Sequence, residues 1–242
     1  MAKNFSGDLR GHRTLITGAT GGVGPAVARV LAEAGSQLVL VSRSHDKLED
    51  LAASLGMPET DCLIHACDLR DSAQAKDLMI AMLGCPGPLT GVVNLIGHWG
   101  AGKVTTLGDE AWHGMLATNL HAVFYVLREA VPHLADGSAI VNVGGELPIE
   151  GRGGQLAYAV AKGGVLTLTK SLALELKPRS IRVNAILPKN IDTPGNRALL
   201  PDSDTKHWVQ PEEVAELILF LLSEQAAKVT GALVPIYGME QG

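Results

Sequence analysis

Two residues with clear potential for proton chemistry, Tyr158 and Lys162, lie four positions apart. They fall in an apolar-periodic segment, residues 155–177, that predicts a helix, and residues four apart share one face of a helix. A phenol with its ordinary pKa of about 10 exchanges protons poorly at neutral pH, and a neighbouring ammonium favours its ionised form. The pair therefore predicts a proton-transfer site, although an amphipathic helix with a groove-filling tyrosine and a solvated lysine has the same spacing.

A glycine-rich turn lies between the first predicted strand (14–16) and the first predicted helix (23–35). Glycines at such a place permit a tight turn and let a pyrophosphate approach the backbone amides at the helix N terminus. Turns of this kind are often glycine-rich for structural reasons alone, so the position between strand and helix supports the interpretation. The residues predicted to bind a dinucleotide here are Gly18, Thr20, Gly22, Val23 and Gly24.

The end of the second predicted strand indicates which dinucleotide binds. An NAD-preferring site usually has an acidic residue here, which accepts a hydrogen bond from the ribose 2′-hydroxyl. This chain has Ser42 and Arg43 instead, a hydroxyl and a guanidinium that suit a 2′-phosphate. The sequence therefore favours NADP(H) over NAD(H), with a solvated arginine at the start of a helix as the structural alternative.

Short apolar runs alternate with helix-length segments along the whole chain. The runs are nearly continuous, as in strands covered by helices on both faces. This alternation predicts a single α/β domain over residues 1–242, a Rossmann-type, doubly wound, seven-stranded parallel sheet with right-handed crossovers. The predicted strands cover residues 14–16, 38–41, 62–66, 92–96, 139–143, 181–186 and 232–236, and the predicted helices cover 23–35, 45–55, 71–84, 109–134, 155–177 and 211–224.

Composition and charge exclude several classes of protein. A hydrophobic content of 46% excludes a disordered chain, and a net charge of −5 argues against a nucleic-acid partner. The longest apolar runs are too short to span a bilayer, and the first residues lack the apolar core of a signal peptide. The eight histidines and three cysteines (Cys62, Cys67 and Cys85) show no metal-ligand spacing. We therefore expect a cytoplasmic protein with reduced thiols, a small-molecule substrate and neither a metal nor a membrane partner.

Several motifs occur in one order along the chain. The turn Thr17-Gly18-x-x-x-Gly22-x-Gly24 and the pair Tyr158-x-x-x-Lys162 are the best defined of them. Tyr-x-x-x-Lys is common by chance, but the whole ordered set is not, and it resembles the classical short-chain dehydrogenase/reductase family over nearly the whole chain. The other matching positions are Asp68 and Leu69 after the third strand, Asn94 and Gly97 at the end of the fourth, Asn119 in the long helix, and Pro188, Ile191 and Thr193 in a loop where Lys189 replaces the family's glycine.

The resemblance implies an oxidoreductase in which Tyr158 exchanges a proton while a nicotinamide exchanges a hydride. It implies that Lys162 holds the nicotinamide ribose and that Asn119 supports a water linked to the lysine. It also implies a homodimer or homotetramer paired through the apolar faces of helices 109–134 and 155–177. The implied cofactor contacts are Asp68 and Leu69 at the adenine, Asn94 and Gly97 beside the turn, and Pro188, Ile191 and Thr193 at the nicotinamide carboxamide.

The family's catalytic serine, 13 residues before the tyrosine, corresponds to Gly145 in this chain. Losing one hydrogen-bond donor at a developing oxyanion costs about 2.7–4 kcal/mol where the chemistry depends on it, so ordinary ketone reduction should be slow. The adjacent Glu146 is expected to be a charged surface residue. Residues 187–208 resemble the corresponding stretch of dihydropteridine reductases, relatives that also lack the serine. A pterin or quinonoid-like substrate is therefore an open alternative.

Substrate contacts are predicted at the mouth of the site. His98 and Trp99 follow the fourth predicted strand, and His207 and Trp208 lie beyond the nicotinamide loop, while Gly145 adjoins the reacting groups. Simple loop packing is the alternative for each of these side chains. Two functions remain open. One is an NADP(H)-dependent oxidoreductase of a small carbonyl, alcohol or conjugated-ring compound, and the other is a dinucleotide-binding regulatory protein with little catalysis.

Overall fold

Seven parallel strands form one sheet in the order β3-β2-β1-β4-β5-β6-β7, which confirms the predicted Rossmann-type fold. The structure, a computed structural model, describes residues 7–83 and 87–238, so Cys85 lies outside the described residues. The strands are β1 (Arg13–Thr17), β2 (Gln37–Ser42), β3 (Cys62–Ala66), β4 (Leu89–Asn94), β5 (Leu134–Val143), β6 (Arg182–Pro188) and β7 (Leu233–Ile236).

Helices cover both faces of this sheet, as its nearly continuous apolar strands require. Apolar residues of α1, α2 and α9 form a core on one face, and those of α3, α5 and α7 form a core on the other. The helices are α1 (Gly24–Glu33), α2 (His45–Leu55), α3 (Ser72–Leu83), α4 (Asp109–Leu116), α5 (Ala122–Ala130), α6 (Leu147–Glu150), α7 (Leu156–Glu175), α8 (Pro194–Leu199) and α9 (Pro211–Leu222).

The strand order reverses beside β1, which pairs with β2 on one side and β4 on the other. In open α/β sheets, ligands bind in the crevice outside the carboxyl ends of the strands at such a switch point. Thr17 pairs with Asn94 at the last position of the β1–β4 register. The glycine-rich turn after β1 and the loop after β4 therefore emerge side by side.

The predicted helix over residues 109–134 is not continuous. It consists of α4, a π-helical turn over Ala117–His121, α5 and a 3₁₀ turn over Val131–His133. Apolar periodicity cannot show such a turn, because the chain stays helical through it. The short helices α6 and α8 also lie outside the predicted set, since they are too short to show a period.

In the part of the chain that the structure describes, no helix combines the length and apolar character needed to cross a bilayer.

Candidate active site

Two adjoining cavities, of about 350 and 590 Å³, lie at the carboxyl ends of the central strands. We call them the Tyr158 cavity and the Arg43 cavity, after one residue that lines each. They share the lining residues Gly18, Gly21, Leu95, Gly97 and His98, so they form one continuous cleft across the switch point. An extended ligand could therefore have one end beside Tyr158 and the other beside Arg43.

The glycine-rich turn forms the floor between the two cavities, and its glycines are required by close backbone packing. Gly18 has a φ of +69°, and a Cβ there would lie 3.1 Å from the backbone nitrogen of Ile96. A Cβ on Gly24 would lie 2.0 Å from the carbonyl oxygen of Ala19. The turn thus presents bare backbone at the N terminus of the ten-residue helix α1, a geometry that suits a pyrophosphate.

The Arg43 cavity is lined by three cationic side chains, those of Arg43, Lys47 and Arg70. Arg70 makes a bidentate ion pair with Asp68, with N–O distances of 2.5–3.0 Å. The hydrogen bond from Arg70 and the nearby charge of Arg43 lower the pKa of Asp68. The cavity is therefore electropositive, which favours a phosphate ester over a plain ribose. The sequence analysis identified Arg43 but missed Lys47 and Arg70. The only sequence signal for these two residues is that each is a cation shortly after a strand.

The ammonium of Lys162 is buried at the end of β5. Its Nζ donates hydrogen bonds to the carbonyl oxygens of Val143, at 2.8 Å, and Ile96, at 3.4 Å. The side chain is 3% exposed, and burial lowers the pKa of Lys162 to about 8. The α7 backbone thus places one charged donor between two strand ends.

Tyr158 lies one helical turn before Lys162 and is partly buried in the same cavity. Burial and, secondarily, the negative charge of Glu146 raise the pKa of Tyr158 to about 12. The sequence led us to expect a neighbouring ammonium to lower this pKa, but burial and the Glu146 carboxylate raise it. Tyr158 is therefore a protonated phenol at neutral pH.

Asn119 is fully buried in the π-helical turn between α4 and α5. Its side-chain amide donates to the carbonyl oxygen of His98 at 3.1 Å, and its Oδ1 accepts from the His98 backbone N–H at 3.1 Å. A Cβ on Gly97 would lie 2.6 Å from Asn119 Oδ1 and 2.8 Å from Lys162 Nζ. The structure therefore brings Asn119, Gly97 and Lys162 together, as the motif order predicts. Single π turns are frequent at functional sites.

Gly145 occupies the position opposite the Tyr158 hydroxyl. A Cβ on Gly145 would lie 3.4 Å from Tyr158 Oη, so a serine there would direct its hydroxyl into the reacting region. Among the described residues that line this cavity, the hydroxyl-bearing side chains are Tyr158 and Thr193. Thr193 Oγ1 caps helix α8 by accepting from the backbone N–H of Asn196 at 3.2 Å. The oxyanion donor typical of the family thus has no direct replacement in this lining.

Glu146 is buried beside Gly145, which corrects the expectation of a surface residue. Its side chain lines the Tyr158 cavity, and the residue is only 5% exposed. Oε1 lies 3.6 Å from the guanidinium of Arg152, and Oε2 lies 3.8 Å from Nζ of Lys189. Those two cations compensate for the burial of the carboxylate, and both also line the cavity. The sequence alone did not reveal this arrangement, because the three residues meet only in the folded chain.

All but one of the other predicted cofactor residues line one of the two cavities. Thr20, Ser42, Asp68 and Leu69 line the Arg43 cavity. Asn94 lines neither cavity, because its amide donates to Asn142 Oδ1 at 2.8 Å within the sheet. Gly22, Val23, Gly24, Pro188, Ile191 and Thr193 line the Tyr158 cavity.

The predicted substrate contacts also divide. His98 and Trp99 line the Tyr158 cavity, where burial and the charges of Arg43, Arg70 and Lys162 lower the pKa of His98. Trp208, by contrast, is 4% exposed and is not among the described residues that line either cavity, so the structure does not bring it to the site. It packs inside the fold instead, and Leu199 and Leu200 line the mouth from that side of the chain.

One group of potential metal ligands occurs in the described ranges. It consists of His45, Asp46 and Glu49, which are exposed on helix α2 and line neither cavity.

Comparisons with known proteins agree with this geometry. A family model described as enoyl-(acyl carrier protein) reductase matches residues 18–238. A 3-oxoacyl-[acyl-carrier-protein] reductase of Thermotoga maritima is 33% identical over 95% of this chain and 98% of its own. A short-chain dehydrogenase/reductase structure from Brucella melitensis superposes with a TM-score of 0.91 at 28% identity, over 98% of this chain and 100% of that chain. An NADPH-bound short-chain oxidoreductase from Pseudomonas aeruginosa gives a TM-score of 0.89 at 26% identity, over 97% and 98% of the two chains. The chain is a member of the short-chain dehydrogenase/reductase family.

Proposed function

We propose that this protein is an NADP(H)-dependent oxidoreductase that transfers a hydride between nicotinamide and a small carbonyl, alcohol or conjugated-ring compound. The main support is the convergence of Tyr158, Lys162 and Asn119 at one end of a cleft whose other end carries Arg43, Lys47 and Arg70. A pure dinucleotide-binding protein would not need a buried phenol and a buried ammonium at this position.

The residues of the cleft fit a dinucleotide phosphate. The turn at Gly18 and Gly24 leaves no room for a Cβ and exposes backbone amides, which suits the pyrophosphate. The cations of the Arg43 cavity suit a 2′-phosphate, and the NADPH-bound Pseudomonas aeruginosa relative supports the same preference. When bound, such a cofactor supplies the hydride donor or acceptor.

The chain itself would handle the proton. Tyr158 keeps its hydroxyl hydrogen at neutral pH, because its pKa is raised to about 12. The raised pKa makes the phenol a weaker acid, so we assign the proton transfer to the step in which a substrate atom gains negative charge and becomes the stronger base. Lys162, fixed by the Val143 carbonyl, would hold the nicotinamide ribose, as the family resemblance implies. Asn119 holds the His98 backbone and so orients the loop that borders both cavities.

The glycine at position 145 narrows the range of substrates. A ketone that concentrates charge on one oxygen would lose the stabilisation of a serine hydroxyl, worth about 2.7–4 kcal/mol. A conjugated acceptor spreads that charge over several atoms, so the loss matters less. Names of relatives such as 3-oxoacyl-[acyl-carrier-protein] reductase support a carbonyl substrate, whereas Gly145 favours a conjugated one, including the dihydropteridine-like alternative.

A cytoplasmic location belongs to the same proposal. Cys62 and Cys67 are buried free thiols, and burial raises the pKa of each. Free thiols of this kind suit a reducing compartment.

The test of catalysis is NADPH oxidation with a panel of diketones, quinones and quinonoid dihydropterin. We expect turnover with at least one class, and a loss of about 10²–10⁴-fold in kcat for Tyr158→Phe, because that change removes only the exchangeable proton. NADPH affinity, measured by fluorescence titration, should stay within about twofold as a control. Tight NADPH binding without turnover of any compound would favour the alternative of a regulatory binding protein.

The test of cofactor choice is Arg43→Ala. A charge-assisted hydrogen bond to a phosphate contributes about 1.5–3 kcal/mol, so NADPH should bind roughly 10–100-fold more weakly while NADH affinity changes little. Arg29→Ala is the matched control, because Arg29 is an exposed arginine of α1 that lines neither cavity. Equal losses for the two cofactors would contradict the preference for NADP(H).

A further inference from the structure

Glu146 and Gln155 line the Tyr158 cavity, and both side chains carry hydrogen-bond acceptors. We call these two residues the acceptor wall. Gly145, the neighbour of Glu146, is close enough to the tyrosine that a Cβ there would lie 3.4 Å from Tyr158 Oη. The acceptor wall therefore adjoins the reacting position. In most members of the resembled family, a hydroxyl donor occupies this place.

Two cations lie close to the buried carboxylate of Glu146. Its side chain is 6% exposed, with Arg152 at 3.6 Å and Lys189 at 3.8 Å. Burying an isolated carboxylate is costly, and two adjacent cations offset that cost. Because a carboxylate has about four acceptor sites, it can hold both cations and still accept a hydrogen bond from a ligand.

Gln155 adds an independent observation. Its side-chain carbonyl oxygen is buried and has no hydrogen-bond partner within residues 7–83 and 87–238. An unsatisfied buried acceptor is unfavourable, and native structures rarely retain one without a reason. The oxygen has less than 1 Å² of exposed surface, so a ligand donor in the cavity would satisfy it once the Gln155 side chain rotates.

We propose that Glu146, together with Gln155, determines substrate specificity by selecting compounds that carry a neutral O–H or N–H donor beside the reacting carbon. This inference rests on the proposed function. A site built to pair with a substrate donor discriminates strongly against an analogue that lacks the donor, because its own polar groups then stay unpaired.

The experiment compares binding of matched ligand pairs to the enzyme saturated with NADP⁺, by ligand-observed NMR titration. Hydroxyacetone against butanone tests an O–H donor, and isatin against N-methylisatin tests an N–H donor. The wild-type protein should bind the donor-bearing member of at least one pair about tenfold or more tightly. The pair that shows the preference identifies the kind of donor.

Variants then assign the preference to the acceptor wall. Glu146→Gln should reduce it about fivefold, since a neutral acceptor makes the weaker hydrogen bond, and Glu146→Leu should abolish it. Gln155→Leu should independently lower the preference for the donor-bearing ligand. If circular dichroism shows that Glu146→Leu does not fold, the Gln155→Leu variant provides the test instead. Glu150→Gln is the matched control, because Glu150 is exposed and does not line the cavity. If the two residues had only a structural role, their replacement would weaken the binding of both ligands of a pair equally.

The outcomes separate this inference from the proposed function. No preference in the wild type, no detectable binding of any of the four ligands, or a preference that survives both leucine variants would overturn the role of the acceptor wall. Selective binding without turnover in the presence of NADPH would support the acceptor wall and count against the oxidoreductase activity.

Discussion

At the scale of single residues, Lys162 shows how a functional group lowers the stability of the fold. Its ammonium is buried and donates to the Val143 carbonyl, and its pKa is lowered to about 8 from an ordinary value of 10.5. A charged amine with a depressed pKa destabilises the folded chain at neutral pH, because the unfolded chain holds the same proton in water.

This burial predicts a specific pH dependence. Between pH 8 and 10.5 the unfolded chain binds the Lys162 proton more tightly than the folded chain does, so the free energy of unfolding rises with pH across that window. Relative to Lys162→Met, the wild type should gain up to about 3 kcal/mol from pH 8 to 10.5 and lose it again as the pH falls. Urea denaturation at several pH values measures the difference, and parallel profiles for the two proteins would contradict the lowered pKa.

At the scale of elements, the turn from β1 into α1 fixes the centre of the cleft. Gly24 begins α1 with its α-carbon so close to Ala19 that a Cβ would lie 2.0 Å from that carbonyl oxygen. A Cβ on Gly114, near the end of α4, would meet no neighbouring atom within 4 Å. The two glycines therefore have opposite roles, one required by packing and one tolerated on an exposed helix.

Replacing each by alanine should change stability in opposite directions. Gly24→Ala forces the turn to shift, which should cost about 1–3 kcal/mol and weaken NADPH binding about tenfold or more. Gly114→Ala should stabilise the protein by about 0.5–1 kcal/mol and leave NADPH affinity unchanged, because alanine is the better helix former. Thermal unfolding and fluorescence titration measure both effects. If Gly24→Ala left both the thermal stability and the NADPH affinity unchanged, the turn would be shown to accommodate a side chain.

At the scale of the whole molecule, exposed apolar residues lie along α5 and α7. Phe124 is 44% exposed, Val160 43% and Leu174 75%. Helices of an isolated domain normally direct such side chains inward, so an apolar stripe on neighbouring helices is typical of an interface. The same helices are the ones that the family resemblance implies for subunit pairing.

We therefore predict a homodimer or homotetramer assembled through α5 and α7. Phe124→Lys and Leu174→Lys should each raise the monomer fraction at micromolar concentration, because a charge buried in the interface lacks a partner. Sedimentation velocity measures the change, and Ile80→Lys on α3 serves as the control, since Ile80 is 55% exposed but lies on another helix. A wild-type monomer, or lysine variants that remain fully assembled, would rule out this interface.

Local spacing in the sequence determined the fold and the centre of the site. Strand and helix periods repeat within a few residues, so alternating segments predict a parallel sheet, and Tyr158 and Lys162 share a face because a helix has 3.6 residues per turn. The positions of Gly18 and Arg43 followed in the same way from their places at strand ends. These features depend on short-range geometry, which the sequence encodes directly.

Tertiary structure alone decided the electrostatics of the site. The carboxylate of Glu146 meets Arg152, which lies in the same connection between β5 and α7, and Lys189, which follows β6, only in the folded chain. Its burial could not be inferred from its neighbours in the chain. The same packing raises the pKa of Tyr158, whereas spacing to Lys162 predicted the opposite direction. Desolvation and charge pairing depend on which distant segments surround a group, and no local pattern in the sequence records that.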